Sequence, residues 1–284
     1  MSLPAFNAIS DECFEEFRSL IHEVMGITVR ANRREMISGR LRRRMRELNI
    51  ESFESYRDRV QTVADERGSF VNAVTTNETY FYRTPKVWNY INDKFLPEWH
   101  QAGKGKTLSI WSAASSTGEE AHTLGIVMQR FKELNRDFDY SILGTDIAPR
   151  VVDVANKGIY KGRAVKRFRE ATPELFSKYM VGDDDAGFSV TLEIKKKIRF
   201  EIFNLFDDGR RQPKHDLILL RNVLIYFSKE DQKRVMKKIH SRLKTNGIAI
   251  IGESETLNNL NTDFEPLEPT IYRALDLLPI GKAA

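Results

Sequence analysis

The stretch Asp216–Phe227, DLILLRNVLIYF, most constrains what this chain can fold into. Four apolar residues, Leu217 to Leu220, end abruptly on Arg221 and Asn222. An apolar, aromatic segment carrying Tyr226 follows, and Ser228 then opens a helix. A buried strand that stops on a polar pair and turns toward a helix is how an open α/β sheet builds a ligand crevice, which lies beyond the carboxyl ends of its strands. The chemistry is therefore expected around Arg221 to Tyr226.

Other segments fit the same sheet. LSIWSA (108–113) precedes a helix from about Gly118, SILGTD (141–146) precedes a helix from Pro149, and IRFEIFN (198–204) reads as a third strand. DLILLRN is a fourth, followed by a helix over about 228–244 that Gly247 ends, and IAIIGE (248–253) is a fifth. Near-continuous apolar strands alternating with helices predict a mostly parallel sheet covered on both faces. One segment breaks the alternation. In YMVGDDDAGFSVTLEIKKK (179–197), Phe188, Val190, Leu192 and Ile194 alternate with Ser189, Thr191 and Glu193, the pattern of an antiparallel strand with one buried face. It reads as a small β insertion, either a docking edge for a peptide or decoration around a solvated acidic turn at Asp183–Asp185.

The first 75 residues predict helix alone. Phe14, Phe17, Ile21 and Val24 recur at helical spacing and Gly26 is a stop. Asn32 is expected to cap a second helix with the stripe Ile37, Leu41, Met45 and Leu48, and Ser52 a third. A fourth runs through Phe70, Val71 and Val74. At 284 residues the chain suits two domains: a basic all-helical domain over 1–75, and an α/β domain over 76–284 holding the β insertion at about 179–197. Between them lies TTNETYFYRTP (75–85), polar, aromatic and non-periodic, with Thr84 as cap and Pro85 as first residue of another helix.

Charge is concentrated. Residues 30–46 carry eight arginines against one acid, Glu35, in a chain of net charge +5. A local basic patch on an otherwise slightly acidic chain points to a specific acidic partner. No apolar run suits a membrane span, the N-terminus lacks a secretory pattern, and the single cysteine, Cys13, fits a reducing cytoplasm and a core position. Five scattered histidines give no zinc spacing, so no metal is expected. No G-x-G-x-x-G follows the first strand and no G-x-S-x-G elbow occurs. Gly105-Lys106-Thr107 precedes a strand instead of following one, which excludes a phosphate loop.

Three places carry candidate chemistry. Glu119 and Glu120 follow the small-residue turn WSAASSTG, where a ligand could approach the backbone and helix dipole; acids in a first turn also simply stabilise a helix. Asp146 ends the second strand, where an acid can hydrogen-bond ribose hydroxyls. Arg83 sits among Tyr80, Phe81 and Tyr82, which favours packing against the crevice over a solvated position.

TTNETYFYR (75–83), WSAASSTGEEAHT (111–123) and LLRNVLIYF (219–227), in this order behind a basic helical domain, together resemble the CheR family. These are S-adenosylmethionine-dependent methyltransferases that esterify glutamates on bacterial chemoreceptors. The resemblance spans roughly residues 10–275 and implies a Rossmann-like class I methyltransferase domain with a small antiparallel β insertion, preceded by an all-α domain. It implies that Asn77, Thr79 and Arg83 line the cofactor and methyl-transfer site, and that Glu120, or its neighbour Glu119, contacts the cofactor. Asp146 would take the ribose hydroxyls and Asn204-Leu205 the adenine end. Asn222-Val223 would line the methionine end, and Tyr226 would stand near the transferred methyl. It further implies that the Arg-rich helix docks on acidic receptor helices and that the β insertion resembles a grip for a receptor tail peptide. Departures from the family pattern are Leu220 for Cys, Ala121-His122 for Pro-Tyr, and Glu253 for His in GESE (252–255). A nucleic-acid methyltransferase is the chief rival, but the arginines lack interleaved aromatics and the strand ends in Arg-Asn instead of a base-flipping sequence. A signalling module without turnover is the other.

Overall fold

The computed structural model describes residues 8–103, 107–207 and 213–276. Gly105 and Lys106, weighed above as a phosphate loop, lie outside these, as do the first seven residues.

The chain opens with α1 (Asp11–Met25), a 3-10 turn (Ala31–Arg33), α2 (Arg34–Glu47), α3 (Phe53–Thr62) and α4 (Ala64–Val74). Ser10 and Ser52 cap α1 and α3, accepting from the amides of Cys13 and Ser55. Such caps each contribute about 1 kcal/mol. The apolar stripes meet around Phe17, whose ring lies 6.2–6.3 Å from those of Phe53, Tyr56 and Phe70. Cys13 is buried there, and burial pushes its thiol up to about 12, so it is no nucleophile near neutrality. Asn32 does not cap α2: the chain leaves its extended path at Arg30 into the 3-10 turn, and Asn32 sits within it.

The rest of the chain runs α5 (Pro85–Tyr90), a π-helical segment (Ile91–Phe95), α6 (Leu96–Gly103), β1 (Thr107–Ser112), α7 (Glu119–Leu134), β2 (Asp139–Asp146), α8 (Pro149–Lys157), α9 (Arg163–Ala171), α10 (Pro173–Tyr179), β3 (Met180–Asp183), β4 (Gly187–Val190), α11 (Leu192–Lys195) and β5 (Ile198–Ile202). It closes with β6 (His215–Leu220), a 3-10 turn (Leu224–Tyr226), α12 (Lys229–Arg242), β7 (Leu243–Ile251), β8 (Phe264–Glu268) and β9 (Ile271–Ala274). Seven strands form one sheet in the order β5-β2-β1-β6-β7-β9-β8. The first five are parallel, and the last two, absent from the sequence reading, run antiparallel. Leu217 and Leu219 pack toward α5–α7, while Ile218 and Leu220 pack toward α12, which explains an unbroken apolar run.

Three further expectations change. The strand read through Ile194 ends at Val190, because its partner begins only at Met180, directly after α10; Leu192 and Ile194 belong to a helical turn. Gly247 does not end α12. That helix stops at Arg242 and Leu243 enters β7 at once, so Gly247 lies inside the strand. Thr84 precedes α5 at φ 64° without capping it, and its hydroxyl instead donates to Glu253 at 3.1 Å.

The helical bundle packs on the sheet region at two places. Ala148 and Val151 join its core, and the Arg150 amide donates to Asn72. At the end of α1, Gly26 adopts φ 69° against the Phe206 ring, and an added Cβ would come within 2.0 Å of that ring. Thr28 N–H donates to the Tyr226 carbonyl at 2.8 Å, and His22 Nε2 lies 2.9 Å from Asp231. The junction between bundle and sheet therefore falls beside the carboxyl end of β6.

Candidate active site

β1 pairs with β2 on one side and β6 on the other, so the connections leaving β1 and β6 diverge and open a crevice at their carboxyl ends. A cavity of about 530 Å³ occupies it, within the range of small-molecule sites. Asn77, Thr79, Arg83, Glu120, Asp146, Asn204, Leu205, Asn222, Val223 and Tyr226 all line it. Met25, Thr28, Arg30, Arg33 and Arg40 from the helical region also line it, which the sequence did not suggest. The 75–83 linker lines it as well.

The turn after β1 depends on Gly118, at φ 94°, where a Cβ would come within 2.9 Å of Ala155 and the Tyr160 hydroxyl. Behind it, His122 is fully buried with Nδ1 2.9 Å from the Gly118 carbonyl, and burial brings its pKa down to about 4. It braces the turn as a neutral ring and does not line the cavity. Asp146 accepts from the Ser116 and Ala148 amides at 2.9 and 3.0 Å, one on each oxygen. Burial nevertheless raises its pKa above the carboxylate norm, the backbone donors opposing that only in part.

The two acids of the turn separate. Glu119 is buried, accepts from the Thr117 hydroxyl and is pushed up by burial; it is not among the cavity-lining residues. Glu120 lines the cavity. Its Oε1 accepts from Ser112 and its Oε2 pairs with Arg221 at 2.9 Å. Arg221, 2% exposed in its side chain, donates its second Nη to the Arg83 carbonyl at 2.9 Å, and Trp88 Nε1 donates to the same oxygen at 3.0 Å. Arg221 thus ties the acid of α7 to the linker. The linker needs this restraint, because Tyr82 and Thr84, flanking Arg83, stand at φ 55° and 64°. The Arg83 side chain donates to the Glu78 carbonyl and faces the Tyr80 ring. The sequence reading placed Arg221 at the crevice but gave it no partner. The available signal was an arginine terminating a strand of four apolar residues, which demands a buried acid nearby.

Asn222 sits at φ 60°, and its amide donates to Glu255 at 3.0 Å. Glu255, another residue missed, is buried and accepts from the amides of Gly252 and Asn222 on one oxygen, so it shapes the loop that carries Tyr226. The Asn204 side chain is spent on structure: Nδ2 donates to the Val24 carbonyl and Oδ1 accepts from Phe206. That leaves the buried Leu205, with Phe203 and Ile147, as the apolar wall. Among the described residues no group of three or more His, Cys, Asp or Glu could hold a metal ion.

The sheet order, the cavity at its divergence and the helical region ahead of it define a Rossmann-like class I methyltransferase domain preceded by an all-α region. The chain belongs to the CheR methyltransferase family: its S-adenosylmethionine-binding domain profile matches residues 77–273 and its all-alpha domain profile residues 12–75. Chemotaxis protein methyltransferase 1 of Pseudomonas aeruginosa is 32% identical over 271 residues, covering 92% of this chain and 97% of that protein. Chemotaxis protein methyltransferase Cher2 of Pseudomonas putida is 30% identical over the same shares. The chemotaxis protein methyltransferase of Salmonella typhimurium is 28% identical, covering 93% and 91%.

Proposed function

We propose that this protein transfers a methyl group from S-adenosylmethionine to glutamate side chains of bacterial chemoreceptors, in the cytoplasm, with residues 1–75 docking substrate and 76–284 carrying the reaction. The observation that supports this best is the convergence of Arg83, Glu120 and Asp146 on one cofactor-sized cavity. The donor set suits the cofactor. Asp146 offers a carboxylate to ribose hydroxyls, Leu205, Phe203 and Ile147 offer an apolar wall to the base, and Glu120, already paired with Arg221, offers a carboxylate acceptor to the ammonium of the methionine end. No helix among the described residues is long and apolar enough to cross a membrane.

When bound, S-adenosylmethionine supplies an electrophilic methyl on a sulfonium. The protein's task is alignment. A glutamate with a pKa of about 4.3 is already ionised near neutrality, so no general base is required, which suits a site lacking a free histidine. Arg83 presents a planar fork to the attacking carboxylate, and orienting two reactants can supply roughly 7–11 kcal/mol of the barrier. The attack neutralises the carboxylate, which weakens its pair with Arg83 and favours product release. Tyr226 stands beside the transfer position, held by the Thr28 contact to its backbone.

The arginine helix offers fewer docking groups than its composition suggests. Arg34 pairs with Asp11, Arg40 donates to the Val74 carbonyl and the Thr76 hydroxyl, and Arg44 pairs with the buried Glu66 at 2.8 Å. Arg30, Arg33 and Arg43 are exposed, the first two at the cavity and Arg43 at 3.9 Å from Glu47, and these are the candidates for acidic receptor helices. Replacing these three with alanine should raise the receptor KM several-fold at low salt, whereas Arg44→Ala should instead lower Tm. An unchanged KM for the triple variant would rule out docking by this face. On the β insertion, β4 is bridged on its far side to Tyr160, leaving β3 as the outer strand where a receptor tail peptide would add.

Calorimetric titration with S-adenosylhomocysteine, beside an Asp146→Ala control, tests the site. Transfer of labelled methyl to receptor cytoplasmic fragments as a base-labile ester tests the acceptor. Binding without transfer would favour a signalling module, and transfer to nucleic acid would favour the rival enzyme class. The pH dependence carries a sign. Because burial raises the Asp146 pKa, lowering pH protonates it before an ordinary carboxylate, and a protonated acid accepts fewer hydroxyl hydrogen bonds. Affinity should therefore fall on acidification at a pH above about 3.9. Asp146→Asn should bind weakly with that pH dependence flattened; the same acid loss in the variant would assign it to another group.

A further inference from the structure

Tyr80 lies in the cavity-lining linker, and two guanidinium groups face its ring. Arg83 stands 5.8 Å from the ring centroid and Arg167, on α9, 4.8 Å. Sharing one ring, the two cations lie within about two helical turns, roughly 11 Å, of each other. Both groups carry positive charge, so they repel one another. α9 cannot swing away to relieve this repulsion, because Phe168 is fully buried and stacks on Phe81 and Tyr82 at 5.3 and 5.0 Å. The other cations in this half of α9 have acids: Arg169 pairs with Asp184 at 2.9 Å, and Lys166 lies 3.9 Å from Glu170. Arg167 is exposed and pairs with no carboxylate among the described residues. Arg163, one turn earlier, is also exposed and extends the basic strip.

We propose that Arg167 reads the substrate: while Arg83 holds the glutamate to be methylated, Arg167 pairs with a second carboxylate one or two turns along the same receptor helix. This rests on the glutamate-methylating function proposed above. Residues four and seven apart on a helix are separated along its axis by about 6 and 10.5 Å, both within the bound on the separation of the two arginines. A single glutamate on an uncharged helix would meet only one of them, so acid spacing becomes part of site selection.

The test uses the full-length protein and a receptor cytoplasmic fragment that the wild type methylates. Arg167→Ala should raise KM for the fragment about tenfold, with kcat at saturation and S-adenosylhomocysteine affinity unchanged. Arg167→Lys should keep most of the wild-type KM. Glu→Gln at the acids four and seven residues from the methylated glutamate should raise KM on the wild type but little further on Arg167→Ala. The proposal is overturned if KM for Arg167→Ala is unchanged, or if neutralising those acids costs both enzymes equally. It is also overturned if kcat, cofactor affinity and Tm all fall together, which would mean that Arg167 only supports Tyr80. A wild type that binds S-adenosylhomocysteine but methylates no fragment would remove the functional reading as well.

Discussion

Arg83→Ala is expected to lower kcat about a hundredfold or more while S-adenosylhomocysteine affinity stays within about tenfold of wild type. Arg83 lines the cavity from the linker, and its backbone carbonyl is held by two donors, Arg221 and Trp88. Removing the side chain leaves that scaffold in place but removes the fork that aligns the attacking carboxylate. A misplacement of about 1 Å can cost 10²-fold in rate. The cofactor keeps Asp146, Glu120 and the Leu205 wall, so binding survives in large part. Steady-state kinetics and calorimetry on the same preparation check both halves. Full turnover in the variant would eliminate the proposed role, and equal losses in kcat and affinity would recast Arg83 as a cofactor ligand.

The second large effect concerns stability. Glu120→Ala strands Arg221, whose side chain is 2% exposed, without its acid. Breaking a buried pair from one side typically costs about 3–5 kcal/mol, because the remaining charge is left unpaired. That corresponds to a fall in Tm on the order of 10 °C for a chain of this size. The double variant Glu120→Ala/Arg221→Met should recover part of the loss, since no charge is then stranded. Urea unfolding of the single and double variants gives the comparison. A double variant less stable than Glu120→Ala would show that Arg221 stabilises the linker more than its unpaired charge destabilises the fold. The double variant should still turn over poorly, because the Arg83 carbonyl has lost one of its two donors.

Much of this was readable from local pattern. The four-helix stripes, the five parallel strands and the helix starts at Gly118, Pro149 and Ser228 follow from periodicity and turn chemistry, which act over a few residues. The final two strands escaped because Phe264–Glu268 and Ile271–Ala274 are short, and their identity depends on pairing of β9 with the edge of β7 and of β8 with β9. The strand through Ile194 was overextended for the complementary reason: alternation persists in Leu192 and Ile194, but no partner strand remains beside them.

The candidate residues themselves stood out because each sits at the end of a strand or in a turn, where a polar side chain breaks an apolar run. Their connections did not. That Glu120 lines the cavity while Glu119 is buried behind it follows from helix rotation against the sheet. That Arg34, Arg40 and Arg44 are internal struts depends on acids and carbonyls 22 to 35 residues away along the chain. Sequence by itself determined most of the element types, the crevice and the chemical kinds of group around it, because those are set by neighbours along the chain. Tertiary structure alone decided which charges are paired, which face the cavity and which remain free, because burial and pairing are properties of groups brought together from distant parts of the chain.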